Sequence, residues 1–127
     1  MIIGIGIDLV EIERIHDSVE KFGHRFLDRI FTQAEIEYCQ RKAHRYQHFA
    51  ARFAAKESIL KAIGTGLSEG ITWHEIEIVN NELGKPVFVC KGNFDRILRE
   101  FGVENIYLSL SHSQKYAIAM TILEKYP

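Results

Sequence analysis

Proline and cysteine are scarce in this chain, with two of each among 127 residues. So little proline leaves long stretches free to run as helix or strand, and it excludes a collagen-like chain or a proline-rich linker. Cys39 and Cys90 stand far apart and lack C-x-x-C or zinc-ligand spacing, so they read as ordinary thiols in a reducing compartment. No apolar run approaches the roughly 20 residues that span a bilayer. The opening MIIGIGIDLVEIE has no basic segment and reaches an acid at Asp8, so no signal peptide is expected and a cytoplasmic location is. The net charge of −1 is too small to point to nucleic acid or a membrane surface as partner. Walker, G-x-S-x-G and dinucleotide-binding motifs are absent, as are repeats and low-complexity segments.

What remains is the composition of one folded domain over residues 1–127, 46% apolar and 26% charged. Its charge is unevenly placed. Arg41, Lys42, Arg45, Arg52, Lys56 and Lys61 crowd residues 41–61 against a single acid, Glu57. Such a block suits a polyanionic small ligand; a solvated helix face is the plainer account.

Residues 2–7 are only Ile and Gly, which predicts a buried strand with close backbone approach at Gly4 and Gly6. From Val10 the apolar spacing turns helical, breaks at Gly23 and resumes to Ile30. Thr32 and Glu35 form a capping box for a helix over 33–43. A long helix follows over 46–63, with Gly64 as its terminator. Residues 71–80 and 86–91 then flank a hairpin loop at 81–85, and Asn93 caps a short helix to Phe101. A last strand pair covers 106–112 and 116–123. This order predicts an α+β domain with helices on one side of a mainly antiparallel sheet.

The long helix carries an oddity. Phe49, Ala50, Phe53, Ala54 and Leu60 share a face, and Glu57 projects from its middle. An unpaired carboxylate there costs several kcal/mol on typical estimates, unless a partner or metal compensates it. An i,i+4 pair with Lys61 is the simplest compensation. Asp8 is equally out of place, between Ile7 and Leu9. It could cap the following helix, or it could bind a hard cation. Two carboxylates from separate elements suit Mg²⁺ bound with substrate phosphates, and with Arg52, Lys56 and Lys61 they describe a diphosphate–metal site. His112, alternating with Leu108 and Leu110, is either a core-edge histidine or a phosphate or proton-transfer contact. His44 and His48 lie i,i+4 but have no third zinc ligand.

Three segments together, GIGIDLV at 4–10, FAARFAAKESILKA at 49–62 and LSLSHS at 108–113, resemble holo-acyl-carrier-protein synthases, the short class of 4′-phosphopantetheinyl transferases. The resemblance covers essentially the whole chain, and its middle motif is the most specific. It implies transfer of 4′-phosphopantetheine from coenzyme A to a serine of apo-acyl carrier protein, releasing 3′,5′-ADP, in fatty acid biosynthesis. Asp8 and Glu57 would bind Mg²⁺, Lys61 would lie at the reacting phosphate, and Arg52, Lys56 and His112 would hold coenzyme A phosphates. Glu57 or a water on the metal would take the serine proton. Members of the family are homotrimers with active sites between subunits. The alternatives are a transferase for polyketide or peptide synthase carriers, whose longer members look like two fused copies, and a non-enzymatic oligomeric nucleotide-binding module.

The carrier surface is less legible. Arg14, Lys21 and Arg25 could line one side of the first helical segment, but Glu11, Glu13, Asp17, Glu20 and Asp28 share it, so its net charge is not positive. The family resemblance implies that these basic residues receive an acidic helix of acyl carrier protein.

Overall fold

In the computed structural model, which describes residues 1–127, the opening run of Ile and Gly continues as strand well past Asp8: β1 spans Ile2–Glu11. The helical spacing that starts at Val10 takes hold only at Ile12, in α1 (Ile12–Phe22). Gly23, at φ 58°, separates it from α2 (His24–Ile30). The capping box forms as expected: Thr32 Oγ1 accepts the Glu35 N–H, and Glu35 returns the bond to the Thr32 N–H, starting α3 (Gln33–Gln40). α4 (Arg45–Ile63) ends on Gly64 at φ 88°, the left-handed conformation that glycine adopts without a Cβ clash.

A 3₁₀ turn at Trp73–Glu75 delays the next strand, so β2 is Ile76–Asn80 rather than the ten residues expected. β3 is Pro86–Cys90. α5 (Gly92–Glu100) starts from Lys91, not from Asn93. Glu75 takes the capping part instead: its carboxylate accepts the Asn93 N–H at 2.7 Å, and the asparagine amide donates to Gly70 O. β4 (Asn105–His112) and β5 (Tyr116–Glu124) complete the chain.

The α+β class with helices against one face of an antiparallel sheet is what forms, except that the strands divide into two sheets. One has the order β1-β5-β4, and the other is the β2–β3 hairpin. α4 lies across the first sheet, and the glycines of β1 set its distance. A Cβ on Gly4 would collide with the Ala62 carbonyl, and one on Gly6 with the Ser58 carbonyl. Helix backbone therefore rests directly on strand backbone. Ser58 and Thr121, both fully buried, bond through their hydroxyls at 2.6 Å across the same contact.

β1 is buried on that face alone, which corrects the expectation of a wholly buried strand. Gly4, Gly6, Asp8 and Val10 point toward α4, while Ile5, Ile7 and Leu9 are 59%, 54% and 60% exposed on the other side. Across the register Leu9 meets Ile118, Ile7 meets Met120 and Ile5 meets Ile122, and Tyr107 follows from β4. The side of the sheet away from α4 is thus an open apolar surface.

Candidate active site

Asp8 and Glu57 come from different elements and face into one open cleft of about 460 Å³. Arg14, Phe26, Phe53 and Lys61 line it with them. Strand alternation turns Asp8 toward α4, and helical spacing puts Phe53, Glu57 and Lys61, four residues apart, on the side of α4 that meets it. Asp8 is no helix cap. The strand runs three residues further, and its side chain, 15% exposed, accepts a bond from Lys61 Nζ at 2.9 Å. Lys61 also donates to Ile7 O at 3.1 Å. The i,i+4 pair between Lys61 and Glu57 therefore gives way to a pair between Lys61 and Asp8.

Glu57 is left half-buried beside a second acid. Burial raises its pKa above the ordinary value, the charge of Asp8 raises it further, and Lys61 only partly opposes them. Two converging carboxylates with one lysine between them are a fit for a hard divalent cation that keeps positions for water and phosphate oxygens. No third His, Cys, Asp or Glu joins them, so the protein does not build a closed cage of the structural zinc type.

Arg52, Lys56 and His112 do not line this cleft. For Lys56 the structure overturns the phosphate assignment. Its side chain is 0% exposed, and all three ammonium hydrogens are committed, to Ile30 O at 2.8 Å, Glu35 Oε1 at 2.8 Å and Trp73 O at 3.1 Å. Burial lowers its pKa, with Glu35 opposing that shift. No donor is left for a coenzyme.

Arg52 and His112 instead lie on either side of Tyr38 and His48. The Arg52 guanidinium lies 4.1 Å from the Tyr38 ring centroid and donates to Asn80 Oδ1 at 2.8 Å, while its Nε is buried without a partner. The His48 ring sits 5.9 Å from Tyr38 and 6.4 Å from exposed His112. Burial and then the charges of Arg52, Lys42, His112 and His44 hold His48 below the ordinary histidine pKa. The result is a cationic cluster around His48. The sequence signal for His48 is its place one helical turn before Arg52, a spacing that zinc-ligand patterns do not register.

The first helices supply a third group. Arg14 reaches the acidic cleft, and Arg25 adjoins it, lining a shallow groove with Phe22, Phe26 and Arg29. Phe26 lines both, so the groove adjoins the cleft. Lys21 lies over the Phe22 ring at 5.3 Å. Phe26 and Arg29 were not singled out from sequence, since neither departs from an ordinary amphipathic pattern.

Residues 4–121 match the profile of a family described as the 4′-phosphopantetheinyl transferase superfamily. The chain belongs to that superfamily. Within it, the chain is 50% identical over 124 residues to the holo-[acyl-carrier-protein] synthase of Koribacter versatilis, covering 98% of this chain and 99% of the relative. Among solved structures it is similar to the holo-[acyl-carrier-protein] synthase of Neisseria meningitidis, at TM-score 0.91 and 36% identity over 98% of this chain and 100% of that one. The Bacillus anthracis synthase in complex with CoA (3′,5′-ADP) has TM-score 0.80 and 34% identity, covering 99% of each chain. The transferase family thus accounts for the chain from its first strand to its last.

Proposed function

We propose that this chain moves 4′-phosphopantetheine from coenzyme A to a serine of apo-acyl carrier protein, in fatty acid biosynthesis, and releases 3′,5′-ADP. The observation that carries the reading is the pair Asp8 and Glu57, turned by a strand and a helix into one cleft beside Lys61. A module that only bound nucleotides has no need of two acids in so apolar a setting.

In this reading Asp8 and Glu57 hold Mg²⁺, which supplies charge neutralisation for the diphosphate. The serine oxygen forms its bond to the phosphorus nearer the pantetheine, and the bond from that phosphorus to the oxygen retained by 3′,5′-ADP breaks. The serine proton passes to Glu57 or to water in the cleft. Lys61, more than half exposed and tied to Asp8 by a single ion pair, can turn its ammonium toward charge gathering on the phosphates. Arg52 and His112, with His48 beside them, suit a further coenzyme phosphate. Arg14, Lys21, Arg25 and Arg29 suit an acidic helix of the carrier, with Phe22 and Phe26 taking its apolar side.

The active unit in this reading is a homotrimer. Its support is the open apolar face of the β1-β5-β4 sheet, the kind of surface that protein contacts cover. A second support is the division of the site. Asp8 lies on β1 and His112 on β4, at opposite edges of that sheet. A neighbour's His112 edge set against this chain's cleft would bring the cationic cluster to the acids. A cytoplasmic location belongs to the same reading, and no helix here is long and apolar enough to cross a membrane.

The test is direct. Purified protein, coenzyme A, Mg²⁺ and apo-acyl carrier protein are incubated, and the carrier is weighed. A gain of one phosphopantetheine that requires all three additions supports the reading. An unmodified carrier overturns it.

A further inference from the structure

Glu57 sits between two neighbours that are held on nearly opposite sides of α4. Successive helix residues turn by about 100°, so Lys56 and Ser58 project about 160° apart, with Glu57 between them. Both are fully buried. On one side the Lys56 ammonium fastens α4 to the end of α2, the start of α3 and the 3₁₀ turn, through Ile30 O, Glu35 Oε1 and Trp73 O. Glu35 extends the hold to β2, accepting the Ile78 N–H at 2.9 Å on its other oxygen. On the opposite side Ser58 Oγ donates to Ala55 O at 2.8 Å, so the Thr121 hydroxyl must donate to it at 2.6 Å, tying α4 to the middle of β5. Gly6 lies under the Ser58 carbonyl and fixes how near the helix comes to β1.

Buried polar groups are an expensive way to hold a helix down. A Lys–Glu pair with no exposure is often no more stabilising than apolar residues of the same shape, and its better-attested use is to select one arrangement. Apolar packing tolerates small rotations and slides; three hydrogen bonds to three separate elements do not. Neither Lys56 nor Ser58 lines the cleft, yet both flank the acid that does.

We propose that Lys56 and Ser58 are positioning residues, which lock the rotation of α4 so that Glu57 is held toward Asp8, and thereby set the divalent-cation affinity of the acid pair. The inference rests on the reading of Asp8 and Glu57 as the metal pair, and its test separates the two. Mn²⁺ binding to the holo-assembled protein in the presence of coenzyme A is followed by electron paramagnetic resonance for wild type, Glu57→Gln, Lys56→Met, Ser58→Ala and Ile97→Val. Ile97 belongs to the buried cluster with Phe94 and Leu123, and its trimming measures what destabilisation alone does. The expected result is loss of binding in Glu57→Gln, weakening on the order of tenfold in Lys56→Met and Ser58→Ala, and no change in Ile97→Val, since displacements near 1 Å carry penalties up to about a hundredfold. The KM for acyl carrier protein should stay within about twofold in both positioning variants, because only the metal arm is disturbed. Should Lys56→Met fail to fold, Ser58→Ala and Thr121→Val carry the test alone. Wild-type Mn²⁺ affinity in folded positioning variants, with Glu57→Gln defective, overturns the positioning role. Equal affinity in wild type and Glu57→Gln overturns the metal pair itself.

Discussion

Replacing Glu57 by Gln should make the metal-free protein more stable and the enzyme nearly inactive. The ordinary value for this carboxyl is 4.5, and burial followed by the charge of Asp8 raises it in the fold. A carboxyl with a raised folded pKa binds its proton more tightly when folded, so its favourable contribution is present below the unfolded value and is lost as pH rises through the folded one. Near neutral pH the ionised Glu57 is therefore a burden, relieved in part by Lys61. The group is only half-buried, and screening keeps the penalty well under the buried-charge scale, at about 0.5 kcal/mol. In a domain of this size that corresponds to a melting temperature about 2 °C higher for Glu57→Gln near pH 7.5, the gap closing toward about pH 4. Turnover should fall at least about 100-fold, the scale of a lost electrostatic element. Mg²⁺ should raise the melting temperature of wild type and not of the variant, because a ligand stabilises only the state that binds it. Thermal denaturation across a pH series, without and with Mg²⁺, and mass-spectrometric carrier loading measure these quantities. A lower melting temperature at neutral pH, or turnover within tenfold of wild type, refutes the reasoning.

Gly6→Ala should cost about 1–3 kcal/mol or more in urea unfolding, because the new methyl meets helix backbone rather than a movable side chain; an unchanged midpoint would contradict the close approach. Arg14→Ala and Arg25→Ala should raise the KM for acyl carrier protein while leaving that for coenzyme A within about twofold. Added salt should likewise act more on the carrier KM, since exposed ion pairs are screened, and weakened coenzyme binding instead would move the carrier surface elsewhere. Leu9→Lys, on the open sheet face, should reduce the sedimenting mass to one chain and abolish turnover; a monomer of full activity would refute the shared site.

The sequence made some of these features plain and hid others for physical reasons. Gly4 and Gly6 could be read as points of close approach because glycine inside a strand has few other uses. The Thr32–Glu35 cap was equally legible, since both partners lie within four positions. What the cap concealed was that the Glu35 carboxylate has partners beyond Thr32. It also takes Lys56 Nζ, twenty-one positions along the chain, and no local pattern joins those residues. Lys56 therefore looked like one more cation in a basic helix beside Arg52 and Lys61. The exposure of Ile5, Ile7 and Leu9 was hidden differently. Glycine and isoleucine both count as apolar, so an alternation between a glycine face and an isoleucine face reads as a uniformly buried run. Asn93 is not the cap because the helix starts ahead of it, and the Glu75 carboxylate, eighteen positions earlier, takes the Asn93 N–H in the cap's place.

β1 has a consequence for which changes of length the gene can tolerate. Its two faces serve unrelated ends, Gly4, Gly6 and Asp8 lying under the helix, and Ile5, Ile7 and Leu9 lying on the far side. A side-chain period of two means that inserting or deleting one residue between Gly6 and Asp8 puts the glycines and the acid on opposite faces. If the acid keeps its place, isoleucine is driven against the Ser58 carbonyl; if the glycines keep theirs, the acid is carried out to the apolar far side. A substitution at any one of these positions harms a single property, whereas a one-residue indel between them sets the helix contact against the cleft's acid. The codons from Gly4 to Asp8 should thus accept exchanges of Ile for Val far more readily than a change in their number.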